Sequence, residues 1–285
     1  MGMTRFKADL HLHTTASDGT ISPAEMVRHA QEAGMAMAAV TDHDTVSGVA
    51  QAVEAGERLG VRVLPGMEMT TGGSEEIHLL AYGIDPEDPR LAAFLEGQLA
   101  ERGARMQTML DSLRKLNMPL TLEEVTGWNR RFMGRMPLAR AMVARGYVSS
   151  VRQAFERFLV PGKPAYVPRK QLAVLDGIAL LTGFGAVVSL AHPGRLRMEQ
   201  QTLAARLPGW IEAGLAGMEA YHSSHMEAQA ACFDRMARRH GLLVTGGSDC
   251  HGCEESGPWI GEHLKGWHTI WEDVQALQER TNLIQ

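Results

Sequence analysis

Short apolar runs that end in polar, potentially reactive residues recur along the chain. Seven stand out: Phe6–His13, Ala36–Asp42, Val61–Glu68, Glu76–Ile84, Ala186–His192, Gly217–His222 and Leu242–Asp249. Their length and composition predict buried strands. In the first, "DLHLH", side chains alternate with period two, so Asp9, His11 and His13 share one face and Leu10 and Leu12 the other. Three polar groups on one face of an apolar strand must meet water or something that replaces it. Helical patterns separate the early strands. "SPAEMVRHAQEAGM" offers Ser22 as N-cap, Pro23 at the first helical position and Glu25 to complete a capping box. Met26, Ala30 and Ala33 form its apolar stripe. "DTVSGVAQAVEAGERLG" repeats the theme and stops at Gly60.

This alternation predicts an α/β protein with parallel strands and outer helices, either a barrel or a doubly wound sheet. No G-x-G-x-x-G follows the first strand, which weighs against a dinucleotide-binding sheet. The polar residues sit at the C-terminal strand ends, where a (β/α) barrel gathers its active site. Near residue 88 the alternation gives way to a long helical stretch, Pro89 to Leu116. A second capping box (Thr121, Glu124) and amphipathic pieces at Leu138–Arg145 and Val151–Leu159 follow. Residues 100–165 therefore read as a helical insertion between the fourth and fifth strands, and 1–99 with 166–285 as the barrel domain.

Composition changes this picture little. The 285 residues are 45% hydrophobic and 21% charged, as in an ordinary soluble enzyme. The longest apolar stretch, Ile178 to Ala191, has 14 residues and two glycines, too short to span a bilayer. "MGMTRFKADLHLH" contains no apolar signal segment. Three cysteines make no disulfide framework, so a cytoplasmic location is expected. Cys250 and Cys253 form a C-x-x-C without a second pair at zinc-site spacing, and read as reduced thiols. The net charge of −5 weighs against stable DNA binding, but it is unevenly spread. Residues 127–170 carry ten Lys/Arg and one acid, a local balance of +9 against −14 elsewhere. Such a segment suits an anionic partner.

The chemistry lies in the histidines. Of twelve, seven (His11, His13, His43, His78, His192, His222, His251) fall at or just beyond the predicted strands. Asp18, Asp42, Asp44, Glu68 and Asp249 lie nearby. If the barrel closes, these groups converge and need compensation, which divalent cations supply to neutral imidazoles and carboxylates. About nine good ligands exceed the three or four that one catalytic ion takes, so two or three ions with shared bridges are expected. Nitrogen and oxygen ligation without thiolate suits Mn²⁺, Fe²⁺ or Zn²⁺ better than Ca²⁺. No Ser or Cys has a recognisable base partner to mark it as a nucleophile. His29, His240, His263 and His268 fall in helix or tail contexts and read as surface residues.

The ordered motifs "DLHLHTTASDG", "TDHDT" (41–45), "GMEMT" (66–70), "EIHLLAY" (76–82), "AHPG" (191–194) and "GGSDCHG" (246–252) resemble those of the polymerase and histidinol phosphatase (PHP) superfamily. The resemblance implies a distorted seven-stranded (β/α) barrel holding three divalent ions, Mn²⁺ foremost. His11, His13, Glu68 and Asp249 would hold the first ion, Glu68 bridging to a second held by His78 and His192. Asp18, His43 and His251 would hold the third, with Asp9 as an acceptor orienting a histidine. A metal-bridging hydroxide, not a side chain, would then be the nucleophile. "RRFMGRMPLARAMVARGYV" and "VPGKPAYVPRK" resemble the branch of nucleoside 3′,5′-bisphosphate phosphatases and tryptophan-operon-associated phosphoesterases, whose insertion covers the site. There Arg135, Lys163 and Arg169 would contact a second phosphate or the departing group and Tyr166 would stack on a base. His225 would stand beside the substrate phosphate. The expected reaction removes the 3′-phosphate of a nucleoside 3′,5′-bisphosphate. The alternatives are a 5′-to-3′ exonuclease on short 5′-phosphorylated RNA, a histidinol-phosphate phosphatase, which the +9 segment disfavours, and a catalytically silent metal-binding module. The partners expected are a small anionic nucleotide or short RNA, with no membrane.

Overall fold

The structure, a computed structural model, describes residues 7–72, 75–127, 133–252, 257–261 and 271–282. Cys253, His263, His268, Arg130 and Arg131 lie outside these. The chain divides into two compact units, Met1–Leu91 with Gln171–Gln285, and Ala92–Lys170.

The first unit is built on one sheet of seven strands in sequence order: β1 (Ala8–Leu12), β2 (Met37–Val40), β3 (Arg62–Gly72), β4 (Glu76–Tyr82), β5 (Val187–Leu190), β6 (Leu215–His222) and β7 (Leu243–Gly247). All seven coincide with the apolar runs of the sequence. The sheet curls until its outer strands meet. Beyond β7, the Asp249 N–H donates to the His11 carbonyl at 2.9 Å, and the His13 N–H donates to the Cys250 carbonyl at 2.9 Å. A (β/α) barrel results, joined at the rim where β1 delivers its histidines.

The connecting helices follow local chemistry. Helix α1 (Pro23–Glu32) begins with the expected capping box, Ser22 accepting from the Glu25 N–H while Glu25 accepts from Ser22. Helix α2 (Val49–Leu59) ends at Gly60 in the left-handed region, φ 71°. Met26, Val27 and Ala30 of α1, with Ala52 and Ala55 of α2, bury their apolar stripes against Leu12, Ala38 and Val40.

One expectation is corrected. The strands are not all parallel, because β4 runs antiparallel to both β3 and β5. Only residues 73–75 separate β3 from β4, and a parallel crossover needs a dozen or more. The reversal has a functional consequence. At an antiparallel strand the beginning, not the end, lies at the rim reached by the other strands' C-terminal ends. His78 is the third residue of β4 and pairs in register with Thr70 near the end of β3.

The second unit holds most of α3 (Pro89–Lys115), then α4 (Leu122–Thr126), α5 (Arg135–Ala144) and α6 (Val151–Ala154), which continues as a π-helical turn to Leu159. Its own core comprises Met106, Met109, Leu110, Leu113, Leu120, Leu138, Met142 and Leu159. Thr121 and Glu124 form the second capping box. The chain then returns to the barrel through α7 (Val174–Gly183), and α8 (Gln200–Glu212), α9 (Glu227–Arg239) and α10 (Trp271–Asn282) complete it.

Candidate metal centre

His11 and His13 leave β1 fully buried, as does Asp9. They meet two carboxylates. Glu68, central in β3, and Asp249, just after β7, are 1% and 5% exposed. His11 Nε2 lies 3.1 Å from His13 Nε2, 3.4 Å from Glu68 Oε2 and 3.5 Å from Asp249 Oδ1. His13 Nε2 lies 3.2 Å from each of the same two oxygens. Donors bound at 2.0–2.2 Å to a common ion stand about 3.0–3.5 Å from one another. The two imidazole nitrogens are therefore spaced from each other and from each carboxylate oxygen as ligands of one ion, and His11, His13 and Asp249 group together within ligand distance.

Two further clusters share these residues. Glu68 Oε1 lies 2.9 Å from both His78 Nδ1 and His192 Nε2. Asp18 stands 3.4 Å from His251 Nε2, 3.9 Å from His43 Nε2 and 3.7 Å from His13 Nδ1. His43 also turns its Nδ1 to Glu68 Oε2 at 2.9 Å. All nine sequence-expected ligands thus converge, and Glu68 stands at their junction. His13 Nδ1, which faces Asp18 Oδ1 at 3.7 Å, and His192 Nδ1 are buried without a hydrogen-bond partner among the described residues. Buried polar atoms are rarely left so. Buried imidazole nitrogens and carboxylate oxygens grouped within ligand distance of one another fit divalent cations.

Electrostatics carries the same signature. Burial alone would hold His11 and His13 neutral. The Glu219, Glu68 and Asp249 carboxylates outweigh it at His11 and raise its pKa well above the usual histidine range. At His13, bonding to Asp249 and Glu68 raises it to about 10. Burial pushes Glu68 and Asp249 upward, yet the surrounding imidazoles hold both well below ordinary carboxylates. Protons and carboxylates compensate each other here, and a cation binding the cluster takes the protons' place. His192 is different: burial dominates and lowers it to about 4, a neutral donor.

The supporting residues are carboxylates that the sequence reading placed only in part. Asp42 accepts from the Thr14 N–H and hydroxyl, each at 2.7 Å, and from Ser17 at 2.6 Å, holding the loop that carries Asp18. Asp44 accepts from the Thr70 N–H at 3.0 Å and so ties the His43 segment to β3. Asp9 does not orient a histidine ring. It accepts from the Ser248 N–H at 2.9 Å and the Gly261 N–H at 3.2 Å, so it holds the backbone that leads to Asp249. The expected role falls to Glu219 instead. Its Oε1 pairs with His11 Nδ1 at 3.0 Å and its Oε2 accepts the His192 N–H at 2.7 Å. Replacing Glu219 with Gln is expected to weaken metal affinity about 10- to 100-fold, measured by competition with a chromophoric chelator. His192 and Asp249 both adopt positive φ, 26° and 58°. Such backbone outliers cluster at functional sites.

Glu219 was missed, and His222, grouped with the strand-end histidines, was given no ligand position, for a definable reason. Three residues apart, they alternate to opposite faces of a regular strand. A register irregularity between Glu219 and Tyr221 breaks the alternation and brings both to the cluster. Arg195 was missed too; it donates to Asp249 Oδ2 at 2.6 Å from the short turn Pro193–Arg195. His225, expected beside a phosphate, has both ring nitrogens committed to backbone. Nδ1 donates to the Ala220 carbonyl at 2.8 Å, and Nε2 accepts the Gly194 N–H at 3.0 Å. It holds the His192–Arg195 segment in place.

Arg135, Lys163, Tyr166 and Arg169 belong to the second unit. Within it, the Arg135 guanidinium lies 5.8 Å from the ring centroids of both Tyr166 and Phe155. Lys163 is exposed and Arg169 half-buried. His29 and His240, expected at the surface, are half-buried.

A (β/α) barrel with overlapping histidine–carboxylate clusters at one rim suits metal-assisted hydrolysis. The model of the PHP domain matches residues 9–119. Across 94% of this chain and 96% of the relative, the sequence is 33% identical to a 3′,5′-nucleoside bisphosphate phosphatase of Chromobacterium violaceum. It is 32% identical to the 5′-3′ exoribonuclease Rnm of Escherichia coli, over 95% and 96% of the two chains. A solved structure of an amidohydrolase from Chromobacterium violaceum with bound sulfate superposes with a TM-score of 0.81 at 31% identity, covering 96% of each chain. The chain belongs to the PHP family. It is a hydrolase, and among the described residues no helix is long and apolar enough to cross a membrane.

Proposed function

We propose that this protein removes the 3′-phosphate from nucleoside 3′,5′-bisphosphates, adenosine 3′,5′-bisphosphate giving AMP and phosphate. The carrying observation is the Glu68-centred cluster, whose donors suit a multinuclear centre. The substrate reading is supported by the likeness to the Chromobacterium violaceum phosphatase over nearly the whole chain. His11, His13, Glu68 and Asp249 are the proposed ligands of one ion and Glu68, His78 and His192 of a second. Asp18, His43 and His251 are those of a third. Mn²⁺ is the leading candidate, with Fe²⁺ or Zn²⁺ as alternatives. When bound, such ions acidify water and neutralise charge on a phosphoryl group.

The chain's own contribution is the rigid placement of those donors. Glu219 fixes the orientation of His11, Asp42 holds the loop of Asp18, and His225 holds the turn after His192. Arg135, Lys163 and Arg169 are the proposed contacts for the phosphate that is not cleaved, and Tyr166 for the base. The +9 balance of residues 127–170 supports that reading. Lack of any disulfide framework supports a cytoplasmic setting.

A second reading is favoured by the comparable likeness to the Escherichia coli exoribonuclease: 5′-to-3′ cleavage of short 5′-phosphorylated RNA. Incubating Mn²⁺-loaded protein with adenosine 3′,5′-bisphosphate, and separately with a 5′-phosphorylated oligoribonucleotide, distinguishes them chromatographically. AMP with one equivalent of phosphate is the expected result. An inert bisphosphate beside a shortened oligonucleotide would replace the first reading with the second.

A further inference from the structure

His222 groups with His11 and Glu219 as a third residue within ligand distance, yet its hydrogen bonds give it another role. Its Nδ1 accepts the Ser224 N–H at 3.0 Å, with the Ser224 hydroxyl 2.8 Å away. A ring nitrogen that accepts a backbone N–H carries no proton of its own. The neutral imidazole therefore keeps its proton on Nε2, which then has no lone pair for an ion. Glu219 is likewise committed, one oxygen to His11 and the other to the His192 N–H. The group is thus a poor ion site. It leaves an N–H donor buried at the rim of the cluster, its side chain 0% exposed and Nε2 without a hydrogen-bond partner among the described residues.

The nearest carboxylate oxygen is Asp249 Oδ2, at 3.4 Å. That oxygen already accepts from Arg195 Nη1 at 2.6 Å. Arg195 is half-exposed, and a guanidinium has five N–H donors in a fixed fork. The two donors therefore flank one ligand carboxylate, Arg195 from the solvent side and His222 from the interior. Neither is loosely placed. Arg195 ends the turn that His225 fixes through Gly194, and a Cβ on Gly194 would overlap the His225 ring. His222 ends β6, fixed by its own bond to Ser224.

We propose that His222 and Arg195 form a donor pair that seats a phosphoryl oxygen of the substrate at the metal centre, His222 acting through Nε2–H and not as a metal ligand. The proposal rests on the phosphoesterase reading, since it takes the anion to be phosphoryl. A charge-assisted pair of donors of fixed direction matches such an oxygen.

The test uses Mn²⁺-loaded protein and inorganic phosphate as the probe. Metal equivalents per chain, the melting temperature and the phosphate dissociation constant are measured for wild type, His222→Leu, His222→Gln and Arg195→Gln. His222→Leu is expected to keep the wild-type metal content and to bind phosphate about 10- to 100-fold more weakly. His222→Gln, whose amide N–H reaches a similar position, is expected to recover most of that loss. Arg195→Gln is expected to weaken phosphate binding by a similar factor with its metals intact. Loss of a metal equivalent in His222→Leu would overturn the proposal by making His222 a ligand. An unchanged dissociation constant in His222→Leu would also overturn it. If His222→Leu does not fold, an unchanged constant in half-exposed Arg195→Gln serves the same purpose. Wild-type protein that neither binds phosphate nor cleaves a phosphoester would sink the phosphoesterase reading itself, and this proposal with it. Wild-type binding that His222→Leu does not alter removes only the donor pair.

Discussion

Glu68→Gln is expected to lower kcat/KM by at least about a thousandfold, or about 4 kcal/mol of transition-state stabilisation. The protein should also lose at least one metal equivalent. The substitution is nearly isosteric, so packing is preserved and the effect isolates charge. Five histidines depend on this one carboxylate. His78 and His192 approach Oε1 at 2.9 Å, and His11, His13 and His43 approach Oε2 at 3.4, 3.2 and 2.9 Å. An amide removes the negative charge and turns an N–H₂ group toward one of these ring sets. Atomic emission on the purified variant, with steady-state kinetics, checks both effects. Wild-type metal content together with wild-type turnover would show that Glu68 bridges nothing.

The second large effect concerns metal removal. Protein stripped by a chelator is expected to stay folded but inactive, recovering with Mn²⁺ and not with Ca²⁺, which prefers more oxygen ligands. It stays folded because the barrel core of Leu10, Leu12, Met37, Val40, Leu79 and Leu190 is independent of the ions. Without ions the cluster balances its charges internally, as the raised His13 and lowered Asp249 show. Ions that bind only the native state at a thousand times their dissociation constant add about 4 kcal/mol. At about 2–4 °C per kcal/mol, the loaded protein should melt roughly 8–16 °C higher. Calorimetry on stripped and reloaded samples measures this directly. An unchanged melting temperature with unchanged activity would mean that the donors hold no ion.

What the sequence made legible follows from local rules. The two-apart spacing of His11 and His13 placed both rings on one strand face, and the structure brings their Nε2 atoms within 3.1 Å of each other. Ser22 and Glu25 announced α1, and Thr121 and Glu124 announced α4, because capping is decided within four residues. What it did not make legible depends on partners distant in sequence or on broken periodicity. The reversal of β4 was implicit in the short link after β3, but alternating strand and helix patterns elsewhere favoured a parallel reading. Glu219 reaches the same cluster as His222 only through an irregularity in β6 that no residue announces. Arg195 is an ordinary cation until Asp249, 54 positions later, folds against it. His225 shows the converse: a histidine near motif residues whose ring is spent on Ala220 and Gly194.

The most direct test of the central claim is anomalous diffraction at the manganese edge from crystals of the Mn²⁺-loaded protein. Three peaks are predicted, one among His11, His13, Glu68 and Asp249, one among Glu68, His78 and His192, and one among Asp18, His43 and His251. Peaks elsewhere, for instance between His222 and Glu219, or no ordered ion beside Glu68, would contradict it.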